Sequence, residues 1–349
     1  MELGSEFWDA PLRERREPLP DENTRFVLSG RTALELVARD LIAERGIRSA
    51  CLPAYCCDSM IAPFHKLGLE LRFYDVIPTE DGVCRLLPEN HGCDAVLLLD
   101  YFGYAQPETA ALAEREHTRG VAVILDRVQS FYSVSESVNY ADYTVMSWRK
   151  WFFSCAAAAE KRNGTWLTPA ANRICPDYAA LRRKAAMRKA AYIRSGEGDK
   201  KLFLDGFAQA ELLLEAHSSG CAAEGESVEA LRRVDVPFVR QRRRENASAL
   251  YEGLKELRPY GVRPLFPAFN EEDVPLFVPV LVPPECRDAL RCYLISKQIY
   301  CPIHWQDSKT GGGTDCYQQE LSLLCDQRYS LEDVERQLRV IKEFFFRDA

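Results

Sequence analysis

The chain has 349 residues, of which 47% are hydrophobic and 28% are charged, and its formal net charge is −7 at pH 7. This composition excludes a globally disordered chain, and the length favours a large α/β domain with a smaller second domain. The negative charge argues against nucleic-acid binding, which needs a basic surface. The basic run 240–245 has a helical pattern and is typical of a solvated helix face.

The thirteen cysteines are scattered and lie mostly in apolar runs, which is typical of reduced, buried thiols in a cytoplasmic protein. No CxxC pair with zinc spacing occurs, so no metal site is expected. Residues 1–8 carry no signal region, and no apolar run approaches the roughly 18 residues of a membrane span. We therefore expect a cytoplasmic protein without a membrane partner.

Hydrophobic periodicity predicts alternating helices and strands after an irregular lead-in over residues 1–28. The predicted helices cover 29–42, 58–67 and 107–119, and the predicted strands cover 49–53, 70–76, 94–99, 121–126 and 143–147. Short buried strands joined by helices indicate parallel crossovers and therefore a doubly wound, mostly parallel sheet. Ligands of such sheets bind beyond the carboxyl ends of the strands.

The second half of the chain changes character. Residues 176–258 have an almost wholly helical pattern, interrupted at 195–198 and 218–220. Predicted strands at 275–282 and 299–303 then alternate with predicted helices at 285–297 and 331–345. We therefore expect a lead-in over 1–28, a large domain over 29–258 and a small α/β domain over 259–349.

Two strand ends carry the most specific pattern in the chain. The strand 121–126 ends in Asp126, with Gln129 three residues later, and Lys150 follows the strand 143–147 among aromatic residues. An apolar setting lowers the pKa of a lysine and provides a free amine. A lysine for a Schiff base and a carboxylate against the pyridine nitrogen are the groups that pyridoxal 5'-phosphate (PLP) needs. Taken alone, Asp126 is also typical of an ordinary turn, and Lys150 is also typical of an ordinary surface residue.

A third segment fits the phosphate of the same cofactor. Ser29, Gly30, Arg31 and Thr32 open the first predicted helix, where unpaired amides and the helix dipole attract phosphate. Ser147, just before the lysine segment, offers a hydroxyl to the same group. The first segment fits an ordinary serine N-cap equally well.

These segments together resemble the nucleotide-sugar aminotransferases of the DegT/StrS type, a branch of the fold type I PLP enzymes. Residues 52–55 resemble the family's "PAY" strand, 125–129 its "EDAAQ" turn, and 147–152 the "SLRKWF" form of its lysine segment. The other matching segments are 29–34, 74–76, 100–107 and 325–329.

The resemblance implies that Lys150 forms the Schiff base with PLP, Asp126 pairs with the pyridine nitrogen and Gln129 bonds the ring hydroxyl. It also implies that the phosphate is held by the backbone of the helix start together with Ser147. The expected cofactor-binding residues are therefore Gly30, Arg31, Thr32, Tyr55, Asp126, Gln129, Ser147 and Lys150. The implied protein is a homodimeric aminotransferase that moves an amino group from an amino acid such as glutamate to a nucleotide-linked keto sugar.

The sequence departs from this family in several places. Cys57 stands where the family stacks an aromatic ring on PLP, and Tyr55 and Tyr101 are the alternatives for that role. An alanine run at 156–159 replaces a Gly-Gly pair, and alanine adopts positive φ less readily than glycine. No asparagine-bearing segment that would reach across a dimer is recognisable between 190 and 215.

Tyr101 and His304 are the candidate substrate residues. His304 lies where the family's small domain approaches the cleft, and a packed strand end is its alternative interpretation. The glycine run 311–313, just beyond His304, is typical of a flexible loop.

Two other functions stay open. One is a PLP enzyme with another reaction, such as a dehydratase or an amine transfer to a non-sugar substrate. The dehydratase ranks lower, because the family's dehydratases commonly replace the lysine by histidine and this chain retains Lys150. The other is a non-catalytic homologue that keeps the fold for binding or regulation, which the lost glycine pair and the missing stacking aromatic favour.

Overall fold

The structure is a computed structural model, and it describes residues 2–14, 16–19, 23–305 and 315–346. The predicted flexible loop at 311–313 lies outside the described residues. The strands are β1 (Leu3–Gly4), β2 (Thr24–Val27), β3 (Ser49–Pro53), β4 (Glu70–Pro78), β5 (Val83–Leu86), β6 (Ala95–Leu99), β7 (Ala122–Asp126), β8 (Tyr143–Ser147), β9 (Ala157–Lys161), β10 (Arg263–Pro264), β11 (Val278–Leu281), β12 (Ile299–Tyr300) and β13 (Glu320–Leu323). The α-helices are α1 (Gly30–Arg45), α2 (Asp58–Lys66), α3 (Pro107–Thr118), α4 (Pro176–Ser195), α5 (Lys200–His217), α6 (Gly225–Leu231), α7 (Val236–Leu254), α8 (Pro284–Ser296), α9 (Asp315–Gln319) and α10 (Leu331–Phe346).

Eight strands form the large sheet in the order β2-β9-β8-β7-β6-β3-β4-β5. The five strands from β8 to β4 are parallel, and every residue of β3, β6, β7 and β8 is buried. Continuous apolar strands are expected where helices cover both faces of a sheet. The predicted large, mostly parallel sheet is therefore confirmed, and the carboxyl ends of β7 and β8 lie side by side.

The edge strands of this sheet are the part that periodicity missed. Strand β9 pairs antiparallel with β8 on one side and with β2 on the other, and β5 pairs antiparallel with β4. The alanine run lies in β9, where Ala157, Ala158 and Ala159 are fully buried. No residue from 154 to 159 has a positive φ, so the expected difficulty with alanine at this point does not arise.

The expectation of an irregular lead-in over 1–28 is wrong for two stretches. Residues Thr24–Val27 form an edge strand of the large sheet, and Leu3–Gly4 pairs in parallel with Ile299–Tyr300. Both strands are short and depend on a partner that is distant in the sequence, which local periodicity does not register.

The second core surrounds a three-stranded antiparallel sheet in the order β10-β11-β13. It is formed by apolar residues of β11, β13, α8 and α10, together with Ala247, Leu250 and Leu254 from α7. The predicted small α/β unit is thus present, and the domain boundaries at 28/29 and 258/259 stay a prediction. Within the described residues, none of the helices combines the length and the hydrophobicity that a membrane crossing requires.

Gly103 sets the approach between the large sheet and the segment before β11. Its φ is +92°, and a Cβ atom there would lie 2.3 Å from the carbonyl oxygen of Val274. Gly103→Ala should therefore cost about 1–2 kcal/mol of folding free energy for the strained φ and about 1–3 kcal/mol more for overpacking. Gly120→Ala is the matched control, because Gly120 also has positive φ but would place its Cβ in open space. Thermal unfolding should show a much larger loss for Gly103→Ala, and equal losses would contradict the packing argument.

Candidate active site

A cavity of about 510 Å³ lies at the carboxyl ends of β7 and β8. Its walls come from the start of α1, the turn after β7, the lysine segment, the small-sheet region and the N-terminal segment. Residues that line it include Glu6, Phe7, Gly30, Arg31, Cys57, Asp126, Gln129, Ser147, Arg149, Lys150, Glu211, Arg243, His304, Trp305, Asp326 and Arg328. The predicted convergence of two strand ends is therefore present.

Lys150 ends a single 3₁₀ turn, Trp148–Lys150, that follows β8 directly. Its side chain is exposed to the cavity, but the surrounding protein leaves the ammonium poorly hydrated. This desolvation, helped by the positive charge of Arg149, lowers the pKa of Lys150. The lowered pKa provides more of the free amine that a nucleophilic lysine needs.

Asp126 is the last residue of β7 and is only 4% exposed. The backbone amide of Val128 donates a hydrogen bond of 2.8 Å to its Oδ1 atom. Burial raises the pKa of Asp126 to about 6, against the opposing effects of the Val128 amide and the Lys150 charge. A buried carboxylate held in this way is suited to receive a cationic group from the cavity.

Gln129 is fixed in the turn after β7. Its Oε1 atom accepts a hydrogen bond of 2.8 Å from the backbone amide of Phe102. The indole of Trp151 donates to the carbonyl oxygen of Val128 at 2.9 Å and fixes the same turn from the lysine side. The Nε2 group of Gln129 is left as the donor for a ligand in the cavity.

The start of α1 is an ordinary serine-capped helix start and also forms part of the cavity wall. Ser29 is the N-cap, because its Oγ accepts from the backbone amide of Thr32 at 3.3 Å and lies 2.8 Å from the Thr32 hydroxyl. Thr32 is turned away and donates to the carbonyl oxygen of Ser218 at 3.1 Å. Gly30 and Arg31 line the cavity, whereas Thr32 does not.

Ser147 provides the clearest mark of a missing polar partner. Its Oγ atom is buried and has no hydrogen-bond partner among the described residues. A Cβ atom built on Gly30 would lie 3.7 Å from the Cβ of Ser147, so the helix start and this hydroxyl are neighbours. Buried hydroxyls are normally paired, so this site fits a group with acceptor oxygens.

Tyr55 and Tyr101 do not line the cavity. The Tyr55 hydroxyl donates to the carbonyl oxygen of His304 at 2.5 Å, and the Tyr101 hydroxyl donates to the carbonyl oxygen of Tyr55 at 2.8 Å. The Tyr55 ring centroid lies 5.0 Å from that of Trp305, which does line the cavity. Both tyrosines therefore support the wall from behind, and Cys57 occupies the place where a stacking aromatic was expected.

His304 does line the cavity. Its Nδ1 atom lies 2.9 Å from the Ser322 hydroxyl, and its backbone amide donates to Glu320 Oε2 at 2.7 Å. Both partners belong to β13, so the small sheet fixes the orientation of the imidazole.

Several charged residues of the cavity wall were not predicted from the sequence. Arg149 and Glu211 form an ion pair at 2.6 Å, and Arg328 binds Asp326 through two bonds of 2.8 and 2.9 Å. The buried Arg243 donates to Gln327 Oε1 at 2.8 Å. The available signals were the adjacency of Arg149 to Lys150 and the matching segment 325–329. The interpretation of the basic run 240–245 as a solvated helix face is wrong for Arg243, which is fully buried.

One group of possible metal ligands lies apart from this cavity. Among the described residues, Cys51, His91 and Cys93 bring three ligand atoms to within 4.8 Å of one another. Both His91 nitrogens are already bonded, Nε2 with Glu116 at 3.0 Å and Nδ1 with the Cys93 amide at 3.1 Å. In the part of the chain that is described, no such group lines the cavity.

No protein-family model matches this sequence, and no curated protein matches it either. Solved structures do match it over nearly its whole length. A proposed sugar aminotransferase of Streptococcus pneumoniae, Spr1654 in its PLP form, is 13% identical with a TM-score of 0.64, covering 96% of this chain and 97% of that protein. PseC of Helicobacter pylori, an aminotransferase involved in the biosynthesis of pseudoaminic acid, is 14% identical with a TM-score of 0.64, covering 98% and 99%.

DesI, solved in the presence of its TDP-sugar product, is 13% identical with a TM-score of 0.61, and the match covers 91% of this chain and 79% of DesI. At these identities the likeness establishes the architecture and not the chemistry. The resemblance found in the sequence is therefore confirmed at the level of the fold, and the chain has the fold type I architecture of the PLP-dependent aminotransferases.

Proposed function

We propose that this chain is a PLP-dependent aminotransferase in which Lys150 bonds the cofactor. The observation that carries the proposal is the convergence of Lys150, Asp126, Gln129 and Ser147 on one cavity. PLP fits this cavity chemically, because Lys150 provides an amine of lowered pKa, Asp126 a buried carboxylate and Ser147 an unpaired buried hydroxyl.

When bound, PLP supplies an aldehyde carbon and an electron-withdrawing ring that stabilises negative charge on a carbon next to nitrogen. Asp126 would face the ring nitrogen, and Gln129 would donate from Nε2 to the ring hydroxyl. The amides of Gly30 and Arg31, with the Ser147 hydroxyl, would hold the phosphate. Once its nitrogen is free, Lys150 would take and return a proton at Nζ, for which a lowered pKa is suited.

The substrates follow from the neighbours as part of this proposal. We infer glutamate or a similar amino acid as donor and a nucleotide-linked keto sugar as acceptor. Three facts about the neighbours support this: PseC is involved in the biosynthesis of pseudoaminic acid, DesI was solved in the presence of its TDP-sugar product, and Spr1654 was solved in PLP and PMP forms. The proposal includes a cytoplasmic homodimer. All thirteen cysteines are free, which supports a reducing compartment.

The test is the visible absorbance of the purified chain with PLP, before and after glutamate is added. A cofactor band that bleaches with glutamate is the expected result. A band that persists would favour another donor or another PLP reaction. The absence of any band, with no rise in melting temperature on adding PLP, would overturn the proposal and favour a non-catalytic protein.

Ser147→Ala should weaken PLP binding roughly tenfold to hundredfold, because it removes one hydrogen bond to a charged phosphate. The cofactor-free protein should lose no stability, since the hydroxyl has no partner there. Ser130→Ala is the matched control: the Ser130 hydroxyl is also buried and unpaired, but Ser130 does not line the cavity. Fluorescence titration with PLP checks both variants, and equal affinities for all three proteins would contradict the phosphate site.

A further inference from the structure

The N-terminal segment 2–9, called the strap below, closes one side of the cavity. On the small-sheet side, Leu3–Gly4 pairs with Ile299–Tyr300, and the Gly4 amide donates to the Tyr329 hydroxyl at 2.6 Å. Further along, the Phe153 amide donates to the carbonyl oxygen of Asp9 at 2.7 Å, close to the lysine segment. The strap therefore connects β12 and Tyr329 with the loop that follows Lys150.

Two basic side chains, Lys189 and Arg328, hold the strap by its backbone. The Nζ atom of the buried Lys189 donates to the carbonyl oxygen of Glu6 at 2.7 Å. The Arg328 guanidinium donates to the carbonyl oxygens of Ser5 and Glu6 at 3.4 Å each and lies 3.9 Å from the ring centroid of Phe7. These contacts fix the direction of the Glu6 side chain.

The Glu6 carboxylate enters a network of four alternating charges. It lies 2.9 Å from Arg182 and 3.9 Å from Arg149, and Glu211 lies 2.6 Å from Arg149 and 3.3 Å from Arg182. Burial would raise the pKa of Glu6, but the two guanidinium groups outweigh burial and lower it to about 2. The carboxylate is therefore ionised, and the network contains two acids and two bases.

This network adjoins the reactive lysine, since Arg149 precedes Lys150 in the chain and both line the cavity. The charged or titratable groups that act on Lys150 are Arg149, Cys57, Glu6, Glu211 and Asp126. Arg149 opposes the ammonium form of Lys150, whereas the two glutamates favour it. Loss of Glu6 would leave Arg149 and Arg182 with one shared carboxylate.

We propose that Glu6 is a positioning residue of the Lys150 site: the strap delivers its carboxylate to complete the Glu6–Arg149–Arg182–Glu211 network, which holds Arg149 and sets the charge around the lysine amine. This inference rests on the proposed function for its relevance to catalysis. Its test does not need the cofactor.

The experiment is acetic anhydride labelling of the full chain over a range of pH, with labelled Lys150 quantified by peptide mass spectrometry. Exposed Lys201 serves as the internal reference. Removing a negative charge destabilises the ammonium, so Glu6→Gln should move the labelling midpoint of Lys150 down by about half a pH unit or more. Below that midpoint Lys150 should then label about threefold faster relative to Lys201.

Glu2→Gln is the matched control within the strap. Glu2 is buried and pairs with Lys200 at 2.5 Å, but it takes no part in the network. Its Lys150 profile should equal that of the original chain. Should Glu6→Gln fail to fold, Glu6→Asp, which keeps the charge but shortens its reach, should give a smaller shift in the same direction.

An unchanged Lys150 profile in Glu6→Gln, or an equal shift in Glu2→Gln, would overturn the inference. With PLP added, the same variants report on the proposed function separately. If the original chain takes up no PLP, the proposed function fails while the labelling result still decides the role of Glu6.

Discussion

Lys150→Ala should lower amino-group transfer by at least about 10³-fold, because it removes both the amine that bonds the cofactor and the group that moves the proton. Lys150→Arg should be similarly inactive, since a guanidinium keeps its charge and provides no free amine. The fold should survive either change, because the Lys150 side chain is exposed to the cavity rather than packed in a core. Steady-state assays with glutamate and circular dichroism check both expectations.

The control for this change is Lys201→Ala. Lys201 is exposed and, among the described residues, forms an ion pair with Asp205 on α5, so activity should be unchanged. An active Lys150→Ala enzyme would contradict the proposed function directly.

Asp126→Asn should also lower transfer strongly, by roughly 10²–10³-fold, which is typical of removing one preorganised electrostatic partner. An amide cannot stabilise a protonated ring nitrogen as a carboxylate does. The Val128 hydrogen bond is preserved, because the asparagine oxygen can still accept it.

The same change should stabilise the cofactor-free protein at neutral pH. The pKa of Asp126 is raised from 3.8 to about 6, so the folded state binds this proton more tightly than the unfolded state. An ionised Asp126 therefore opposes folding as the pH rises from about 4 to about 6, by about 3 kcal/mol once both states are ionised.

Thermal unfolding of the cofactor-free proteins at two pH values measures this effect. Asp126→Asn should melt well above the original chain at pH 7.5, and the gain should shrink as the pH falls towards 4. If the variant is less stable than the original chain at both pH values, burial of the ionised carboxylate does not destabilise the folded state.

The strand ends that form the cavity were predictable because the pattern that identifies them lies in a short stretch of sequence. Continuous apolar runs identify buried parallel strands, and the carboxyl ends of parallel strands meet at one edge of the sheet. The parallel pairing of β7 with β8 then brings Asp126 and the Lys150 segment to the same edge of the sheet. The serine cap at Ser29 was equally local, and its bond to the Thr32 amide is present.

Other features depend on partners far along the chain. Ala157–Ala159 form a strand only because β2 and β8 flank them, and small side chains there lie within a buried sheet. The positions of Tyr55 and Tyr101 depend on the backbone carbonyl oxygens that accept hydrogen bonds from their hydroxyls, because buried tyrosines need a hydrogen-bond partner. Glu6 reaches Arg182 across 176 positions of sequence, and no periodic pattern marks such a contact.

The most direct test of the central claim is to identify the residue that carries the cofactor. The chain is loaded with PLP, reduced with sodium borohydride and digested, and the modified peptide is sequenced by mass spectrometry. We predict a single modified residue, Lys150, whose labelling is lost in Lys150→Ala. Modification of another lysine, or a protein that retains no cofactor after reduction, would contradict the assignment of this cavity as a PLP site.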